Sequence, residues 1–203
     1  MVPESVRIRF SKKGRLRYIS HLDLCRTMTT AMLRAKIPMW YTEGFNPHPK
    51  MVFTQPLPLF AESECEYLDI KIVEPITHKR LTEKLRAAFT PELYVEEVYT
   101  PQRKFTDIAF ACYRIAAEGY DRELLFGEGA LNATKTAKDG KEKTVDIRGM
   151  IKRAEERDGA LYVTMDASSS SYLNPELFCK AIGAEDYFIT RIGWLDAEGK
   201  AFR

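Results

Sequence analysis

The chain has 203 residues, and its formal net charge is only +2. This length suits one large domain or two small ones, and the apolar content is enough for a core without disulfides or metals. No apolar run approaches the roughly 20 residues that cross a bilayer, and the first ten residues lack the apolar centre of a signal peptide. We therefore expect a soluble, cytoplasmic protein that has no membrane partner.

The cysteines are widely spaced, and each lies in an apolar run: Cys25, Cys65, Cys112 and Cys179. This pattern favours four buried free thiols in a reducing compartment over two disulfides. We expect these side chains to pack in the core.

The positive charge is concentrated near the N-terminus. Residues 1–50 contain ten Lys and Arg against three Asp and Glu, a net charge of +7. The next fifty residues carry five against nine, and the remainder carries sixteen against seventeen, which gives −4 and −1. This asymmetry indicates a basic surface with a function rather than an evenly solvated surface.

The first hundred residues alternate between strand and helix patterns. Strands are predicted at residues 6–10, 51–54, 67–73 and 93–98, and helices from the caps at Ser20 and Pro75. The order β-α-β-β-α-β is that of the ferredoxin-like fold. In that topology the first and third strands are neighbours, and one face without helices carries Arg7, Arg9, Tyr67, Asp69 and Lys71.

The first predicted helix has apolar residues at helical spacing. Its buried stripe is predicted to be Leu22, Cys25, Met28 and Met32, with Leu24 and Leu33 beside it. The helix should end before Pro38.

The second half of the chain repeats this order around an inserted polar hairpin. Strands are predicted at residues 108–115, 160–165 and 187–195, and helices at residues 120–126 and 174–183. The Asp139-Gly140 pair is predicted to form the tip of the hairpin. We therefore predict an α+β protein of two tandem ferredoxin-like units, at residues 1–100 and 105–203.

A stiff loop is predicted after the first helix, where the sequence reads PMWYTEGFNPHPKMVFTQPLPLF. Gly44 can take a positive φ, and Pro47 and Pro49 each fix their own φ on either side of His48. A rigid loop with aromatic residues is typical of a surface that contacts a partner or substrate. The residues predicted to form that surface are Trp40, Tyr41, Phe45, Asn46 and His48.

Six basic residues fall within eleven positions and form the predicted nucleic-acid-binding or phosphate-binding set: Arg7, Arg9, Lys12, Lys13, Arg15 and Arg17. Part of this set lies in a glycine-containing loop before a helix N-terminus, where backbone N–H groups favour phosphate. The ordinary alternative is a solvated strand edge and loop. The third strand lacks the aromatic signature of an RRM, so that particular RNA-binding fold is excluded.

Two histidines are the candidate catalytic residues. His21 lies in the first turn of the first helix and His48 lies in the stiff loop, so they could form an acid–base pair if the loop folds over the helix start. The alternatives are that His21 pairs with Asp23 and that His48 rigidifies the loop through a hydrogen bond. His21 and Cys25 have i, i+4 spacing, but no second pair has ligand spacing, and we expect neither a metal nor a cofactor.

Three segments carry a family resemblance: RIRFSKKGRLRYISHLDLCR, YTEGFNPHPKMVFTQPLPL and SECEYLDIKI. They resemble the bacterial radical-SAM-linked family. Its members are small domains that occur beside, or fused to, a radical SAM protein with a cobalamin-binding-type domain. The resemblance implies a radical SAM partner and a link to RNA metabolism. This chain cannot itself be the radical SAM enzyme, because it lacks the three closely spaced cysteines of that cluster.

Three functions fit these patterns. The leading hypothesis is an accessory protein that presents RNA, or another phosphate-bearing substrate, to a radical SAM partner. The second is an RNA-processing or RNA-modifying enzyme that uses His21 and His48. The third is a protein–protein adaptor that binds no nucleic acid.

Overall fold

The computed structural model describes residues 3–136, 140 and 142–203. The chain forms two compact units, one that runs to Lys104 and includes Arg203, and one that spans Phe105–Phe202. Both units contain strands and helices, so the protein belongs to the α+β class.

The first unit is a four-stranded antiparallel sheet with two helices. Its elements are β1 (Glu4–Lys12), α1 (His21–Arg34), β2 (Met51–Phe53), β3 (Glu62–Ile72), α2 (His78–Ala88) and β4 (Val95–Tyr99). The strand order is β4-β1-β3-β2, and each neighbouring pair is antiparallel. A short 3-10 helix, Gly14–Tyr18, connects β1 to α1.

The core of this unit lies between its helices and one face of its sheet. Alternation along β1 directs Val6, Ile8 and Phe10 into that core. The helices contribute Leu24, Met28, Ala31, Met32, Leu81 and Leu85.

The buried stripe of α1 differs from the predicted stripe. Met28 and Met32 are buried as predicted, but the stripe continues through Leu24 and Ala31 rather than through Leu22, which is 58% exposed. Apolar residues occur on more than one face of α1, so their spacing alone did not determine which face packs against the sheet. Docking against the sheet selected the face that begins at Leu24.

Side-chain caps set the helix starts. The Ser20 hydroxyl accepts a hydrogen bond from the Asp23 N–H at 3.1 Å, which confirms the predicted start of α1. Helix α2 begins three residues after Pro75, because Thr77 accepts from the Arg80 N–H and so provides the cap. The longest helix, α1, has 14 residues, and no helix in the described part of the chain is long and apolar enough to cross a membrane.

The second unit has a similar strand order. Its elements are β5 (Phe110–Glu118), α3 (Arg122–Phe126), β6 (Asn132–Thr136), β7 (Glu142–Asp146), β8 (Ile151–Arg157), β9 (Ala160–Asp166), α4 (Pro175–Ala181) and β10 (Asp186–Leu195). Its strands β10, β5, β9 and β8 are neighbours in this antiparallel order. Within the described residues, β6 and β7 pair with each other and with no further strand. The predicted hairpin is therefore present, although Asp139 of its predicted tip lies outside the described residues.

All four cysteines are free thiols, but only Cys65 and Cys179 are buried. Cys25 and Cys112 are half-buried. On β5, Cys112 alternates with the buried Ala111 and Tyr113, so its side chain lies on the opposite face of the strand from theirs. Burial raises the pKa of Cys179 to about 12, so this thiol stays protonated at neutral pH.

We predict that Met28→Ala will lower the free energy of unfolding by about 2–5 kcal/mol, because it opens a cavity in the core. Leu22→Ala should change it by less than about 0.5 kcal/mol, because the Leu22 side chain is mainly in water. Urea unfolding of both variants measures the difference. A large fall in stability with Leu22→Ala would show that the helix is rotated from the orientation described.

Candidate functional site

One face of the first unit's sheet has no helix against it and carries mainly polar and aromatic side chains. The register pairs Arg7 with Asp69 and Tyr99, and it pairs Arg9 with Tyr67 and Glu97. Because residues that pair directly project to the same side, all of these side chains lie opposite the core. We call this surface the helix-free face. It comprises Arg7, Arg9, Thr54, Tyr67, Asp69, Glu97 and Tyr99.

Thr54 joins this face at the end of β2. Phe53 points toward the core, since its ring lies 6.5 Å from that of Phe10. The next residue therefore points to the opposite side. The Thr54 N–H donates to the Tyr67 carbonyl, which places Thr54 beside Tyr67.

Arg7 is fully buried on the helix-free face. Its Nε and Nη2 donate to the two Asp69 carboxylate oxygens at 2.7 and 2.8 Å, and Nη2 also donates to the Arg103 carbonyl at 2.9 Å. This two-point charge pair neutralises the buried guanidinium through a carboxylate that is itself partly exposed. Arg7 is therefore a structural residue and is unsuited to contact with a phosphate on the surface.

A second charged group lies beside it on the same face. Glu97 is 3.8 Å from Arg9 and 2.6 Å from Arg203, and the Arg203 guanidinium carbon lies 5.3 Å from the centre of the Tyr99 ring. Burial raises the pKa of Tyr67 to about 12. The Tyr67 hydroxyl therefore remains a neutral hydrogen-bonding group at physiological pH.

The basic loop, residues 12–17, is largely neutralised by carboxylates of its own unit. Lys13 Nζ lies 3.4 Å from Glu64, and Arg15 Nε lies 3.4 Å from Glu92. The side chain of Lys12 is buried. Of the predicted phosphate-binding set, Lys13 and Arg15 are thus exposed but paired, and Arg17 is half-buried.

The backbone of the same loop also binds a carboxylate. Gly14 has φ +60, and its N–H donates to Glu62 Oε1 at 2.7 Å. This is the kind of N–H group that the sequence pattern assigned to phosphate. An incoming phosphate therefore competes with Glu62 for this donor.

An exposed aromatic pair flanks the start of α1. The rings of Tyr18 and Phe60 are 5.9 Å apart in an edge-to-face arrangement, and Arg17 lies over the Tyr18 ring. Phe60 has φ +66, which is uncommon for a bulky residue. Its N–H donates to the Arg17 carbonyl at 2.8 Å, which holds the pair beside the basic loop. Sequence reasoning missed Phe60, because nothing local indicates that it returns to Arg17.

The structure does not join the two candidate catalytic histidines by a hydrogen bond. The His21 ring packs edge-on against Phe53, with centroids 4.9 Å apart, and its Nε2 is 3.6 Å from Cys25 Sγ. His48 Nδ1 lies 3.1 Å from both Thr42 Oγ1 and the Asn46 carbonyl oxygen. Each ring therefore has partners within its own segment, as in the alternative in which His48 rigidifies the loop.

The stiff loop is a backbone-bonded hairpin. Thr42 N–H donates to the His48 carbonyl at 2.9 Å, and Trp40 N–H donates to the Lys71 carbonyl at 2.8 Å. Gly44 at its tip has φ +131, the positive value that the sequence predicted. The hairpin is therefore held by its own backbone and by β3.

The aromatic residues of this hairpin are not equally accessible. Phe45 is fully exposed, with a side chain that touches water on all sides. Tyr41 packs partly against the core, and Lys71 Nζ lies 5.3 Å from the centre of the half-buried Trp40 ring. Asn46 and His48 are exposed. Of the residues predicted to form the contact surface, Phe45, Asn46 and His48 are thus the exposed ones.

The comparison with protein families identifies the chain's group. Residues 5–175 match the family described as "Uncharacterized protein conserved in bacteria (DUF2344)". The chain belongs to this family. None of the curated proteins matches it. The matched residues include the basic loop, the helix-free face and the hairpin, and in the described part of the chain no group of His, Cys, Asp and Glu side chains could hold a metal ion.

His21 should make stability depend on pH. Burial is the main reason that the pKa of His21 lies below its ordinary value, while Glu66 opposes this effect and Lys12 adds to it. The unfolded chain therefore binds a proton at His21 more readily than the folded protein does. The free energy of unfolding should be highest above about pH 6.5 and should fall as the pH falls toward the lowered pKa.

Urea unfolding measures this pH dependence between about pH 5 and about pH 7.5, a range that spans the ordinary histidine pKa. The measurement compares the wild type with His21→Gln, and His48→Gln is the matched control. His21→Gln should flatten the curve more than His48→Gln does. Identical curves for the wild type and His21→Gln would contradict the prediction.

Proposed function

We propose that the protein is an accessory module that presents RNA, or another phosphate-bearing substrate, to a radical SAM partner. The hairpin of residues 38–50 contacts the partner, and the basic loop with the Tyr18–Phe60 pair contacts the substrate. The observation that carries this proposal is the complete exposure of Phe45 at the tip of a backbone-bonded hairpin.

We also assign both units to the ferredoxin-like fold. The sheet orders β4-β1-β3-β2 and β10-β5-β9-β8 support this assignment, since both correspond to the order 4-1-3-2 of that topology once the β6–β7 hairpin is treated as an insertion. A sheet face that carries no helix is a common surface for single-stranded RNA in proteins of this architecture.

The hairpin suits a protein interface for a physical reason. An exposed phenylalanine ring supplies a large apolar area, and few torsions are immobilised when it binds. The hairpin backbone is ordered beforehand by its own hydrogen bonds, so binding costs little further entropy. Aromatic anchors of this kind often dominate binding energy at interfaces.

The proposed substrate surface combines charge with stacking area. Lys13 and Arg15 are exposed, and Arg17 stacks on the outward-facing Tyr18 ring. Aromatic rings beside basic groups suit single-stranded nucleic acid, whose bases stack while its phosphates meet the cations. Because Glu64 and Glu92 pair with Lys13 and Arg15, phosphate binding must displace these carboxylates.

A protein–protein adaptor without nucleic acid is the second candidate. The carboxylates of the same unit favour this candidate, because they already pair with groups of the basic loop that a phosphate would contact. Glu62 accepts from the Gly14 N–H, and Glu64 and Glu92 pair with Lys13 and Arg15. The enzyme hypothesis gains no support from the histidines, whose hydrogen bonds stay within separate segments.

We predict that Phe45→Ala will weaken binding to the partner by at least about tenfold, as expected for a central aromatic anchor. The melting temperature should not change, because the ring packs against nothing. The measurement is affinity capture of a radical SAM protein from the same genome, combined with thermal melting. Phe126→Ala, which removes another exposed ring, is the control. Full binding by a folded Phe45→Ala protein would remove the hairpin from the interface.

We predict that Lys13→Glu with Arg15→Glu will weaken RNA binding equally for all sequences. The slope of log affinity against log salt should fall by about one for each phosphate that the basic loop no longer neutralises. Lys79→Glu with Arg80→Glu makes the same charge change on α2 and should leave the slope unaltered. If both double variants bind RNA with the affinity and salt slope of the wild type, the adaptor without nucleic acid replaces the first proposal.

A further inference from the structure

Three carboxylates of the first unit contact residues 13–15 of the basic loop, each at a different cation or N–H group. We call them the loop carboxylates: Glu62, Glu64 and Glu92. The first accepts a hydrogen bond from the Gly14 N–H at 2.7 Å, and the other two lie 3.4 Å from Lys13 Nζ and Arg15 Nε. A phosphate group binds to the same kinds of donor, so carboxylate and phosphate compete for them.

The fold brings these carboxylates to the loop from two sides. Glu62 and Glu64 alternate with a buried residue along β3, so both project from the same side of that strand. From the other side, the Glu92 carbonyl accepts a hydrogen bond from the Lys13 N–H at 2.9 Å. A Cβ atom at Gly14 would lie 3.1 Å from Glu92 Cγ, so the Glu92 side chain packs closely on the loop backbone. The backbone therefore keeps the loop carboxylates beside the groups they contact.

Competitors that belong to the same chain act at a high effective concentration. A tethered carboxylate beside its cation is equivalent to a free anion at millimolar concentration or above. A free phosphate that makes one contact gains little by displacing it. A strand of several phosphates is different, because after its first contact the next contacts are also intramolecular. The arrangement therefore favours a polyanion over a single phosphate.

The three contacts differ in strength. The ion pairs of Lys13 and Arg15 are exposed, and exposed ion pairs are individually weak. The hydrogen bond from Gly14 to Glu62 is shorter and charge-assisted, so Glu62 is the strongest of the competitors. The loop carboxylates thus raise the affinity that a ligand needs, but a strand that supplies several phosphates can still displace them.

The aromatic pair beside the loop favours RNA over other polyanions. The side chains of Tyr18 and Phe60 are largely in water, with 54% and 64% of each residue exposed. Nucleobases stack on exposed rings of this kind, whereas inorganic polyphosphate has no group that stacks. Among polyanions, single-stranded RNA therefore uses both the cations and the rings.

We propose that the loop carboxylates determine the ligand specificity of the basic loop. They admit single-stranded RNA with several consecutive phosphates, and they exclude mononucleotides and inorganic phosphate. This inference rests on the substrate surface proposed above, and it narrows the phosphate-bearing substrate to a polynucleotide. The loop carboxylates act by competing with the ligand for the loop rather than by contacting the ligand.

The test compares ligands of increasing complexity on the full chain. Fluorescence anisotropy measures the affinity for a labelled oligouridylate of about ten nucleotides, a length typical of single-strand sites. Calorimetry measures binding of uridine monophosphate, inorganic phosphate and inorganic polyphosphate. The wild type should bind the oligouridylate most tightly and polyphosphate more weakly. It should not bind either single phosphate measurably at millimolar concentration.

The decisive variant combines Glu62→Gln, Glu64→Gln and Glu92→Gln, which removes three negative charges and keeps the shape of each side chain. Its affinity for the oligouridylate should rise at least about tenfold, since each exposed ion pair contributes up to about fivefold. Its binding of inorganic phosphate should become measurable. Glu62→Gln alone should raise the affinity at least about twofold, and it serves as the test if thermal melting shows that the triple variant does not fold.

A second triple variant separates the local effect from the change in net charge. Glu74→Gln, Glu83→Gln and Glu96→Gln make the same change at exposed glutamates on other parts of the first unit. This control should raise the affinity for the oligouridylate less than the loop variant does, and it should not gain binding of inorganic phosphate.

The outcomes separate this inference from the proposed function. Equal gains by the two triple variants overturn the inference and leave the accessory role intact, as does a wild type that binds uridine monophosphate as tightly as the oligouridylate. Polyphosphate binding as tight as RNA binding overturns the choice of RNA. RNA binding by the loop variant alone supports the inference. If neither the wild type nor the loop variant binds RNA, the substrate surface itself is removed, and the protein–protein adaptor replaces the proposed function.

Discussion

The first unit depends on the charge pair between Arg7 and Asp69. Strand β1 has both faces covered over its middle, with Ile8 directed to the core and Arg7 to the other side, and neither has exposed surface. Removing the carboxylate would leave a buried charge, at a cost of about 3–5 kcal/mol. The pair also fixes the register, since a slip of one residue would turn Arg7 into the core. The alignment of Arg9 with Tyr67 and Glu97 follows from it.

The same antiparallel pairing removes most of the charge asymmetry seen along the sequence. Strand β3 begins with alternating glutamates and runs beside the basic end of β1, so that Glu62 and Glu64 meet Gly14 and Lys13. The excess of +7 in the first fifty residues is thus partly balanced by the −4 of the next fifty. The positive surface that remains is smaller, and it combines Lys13 and Arg15 with the half-buried Arg17 and the Tyr18–Phe60 rings.

The hairpin and the helix-free face are ordered by different interactions. The hairpin is ordered by backbone hydrogen bonds and by the bonds of His48 to Thr42 and Asn46, so its histidine acts as a local brace. The helix-free face is ordered by ion pairs, such as that between Arg7 and Asp69. Surfaces that are ordered before binding lose little entropy on binding, which favours the accessory role proposed above.

Local patterns in the sequence determined the elements of this protein, because caps, alternation and proline placement act over a few residues. Ser20, the alternation of β1 and the conformation of Gly44 were all predictable on that basis. The face shared by Arg7, Arg9, Tyr67 and Asp69 also followed, since strand order and alternation are enough to derive it. Only the tertiary structure decided which face of α1 is buried and that Glu62 accepts a hydrogen bond from the Gly14 N–H. These outcomes depend on contacts between residues far apart in the chain, and no local pattern encodes such contacts.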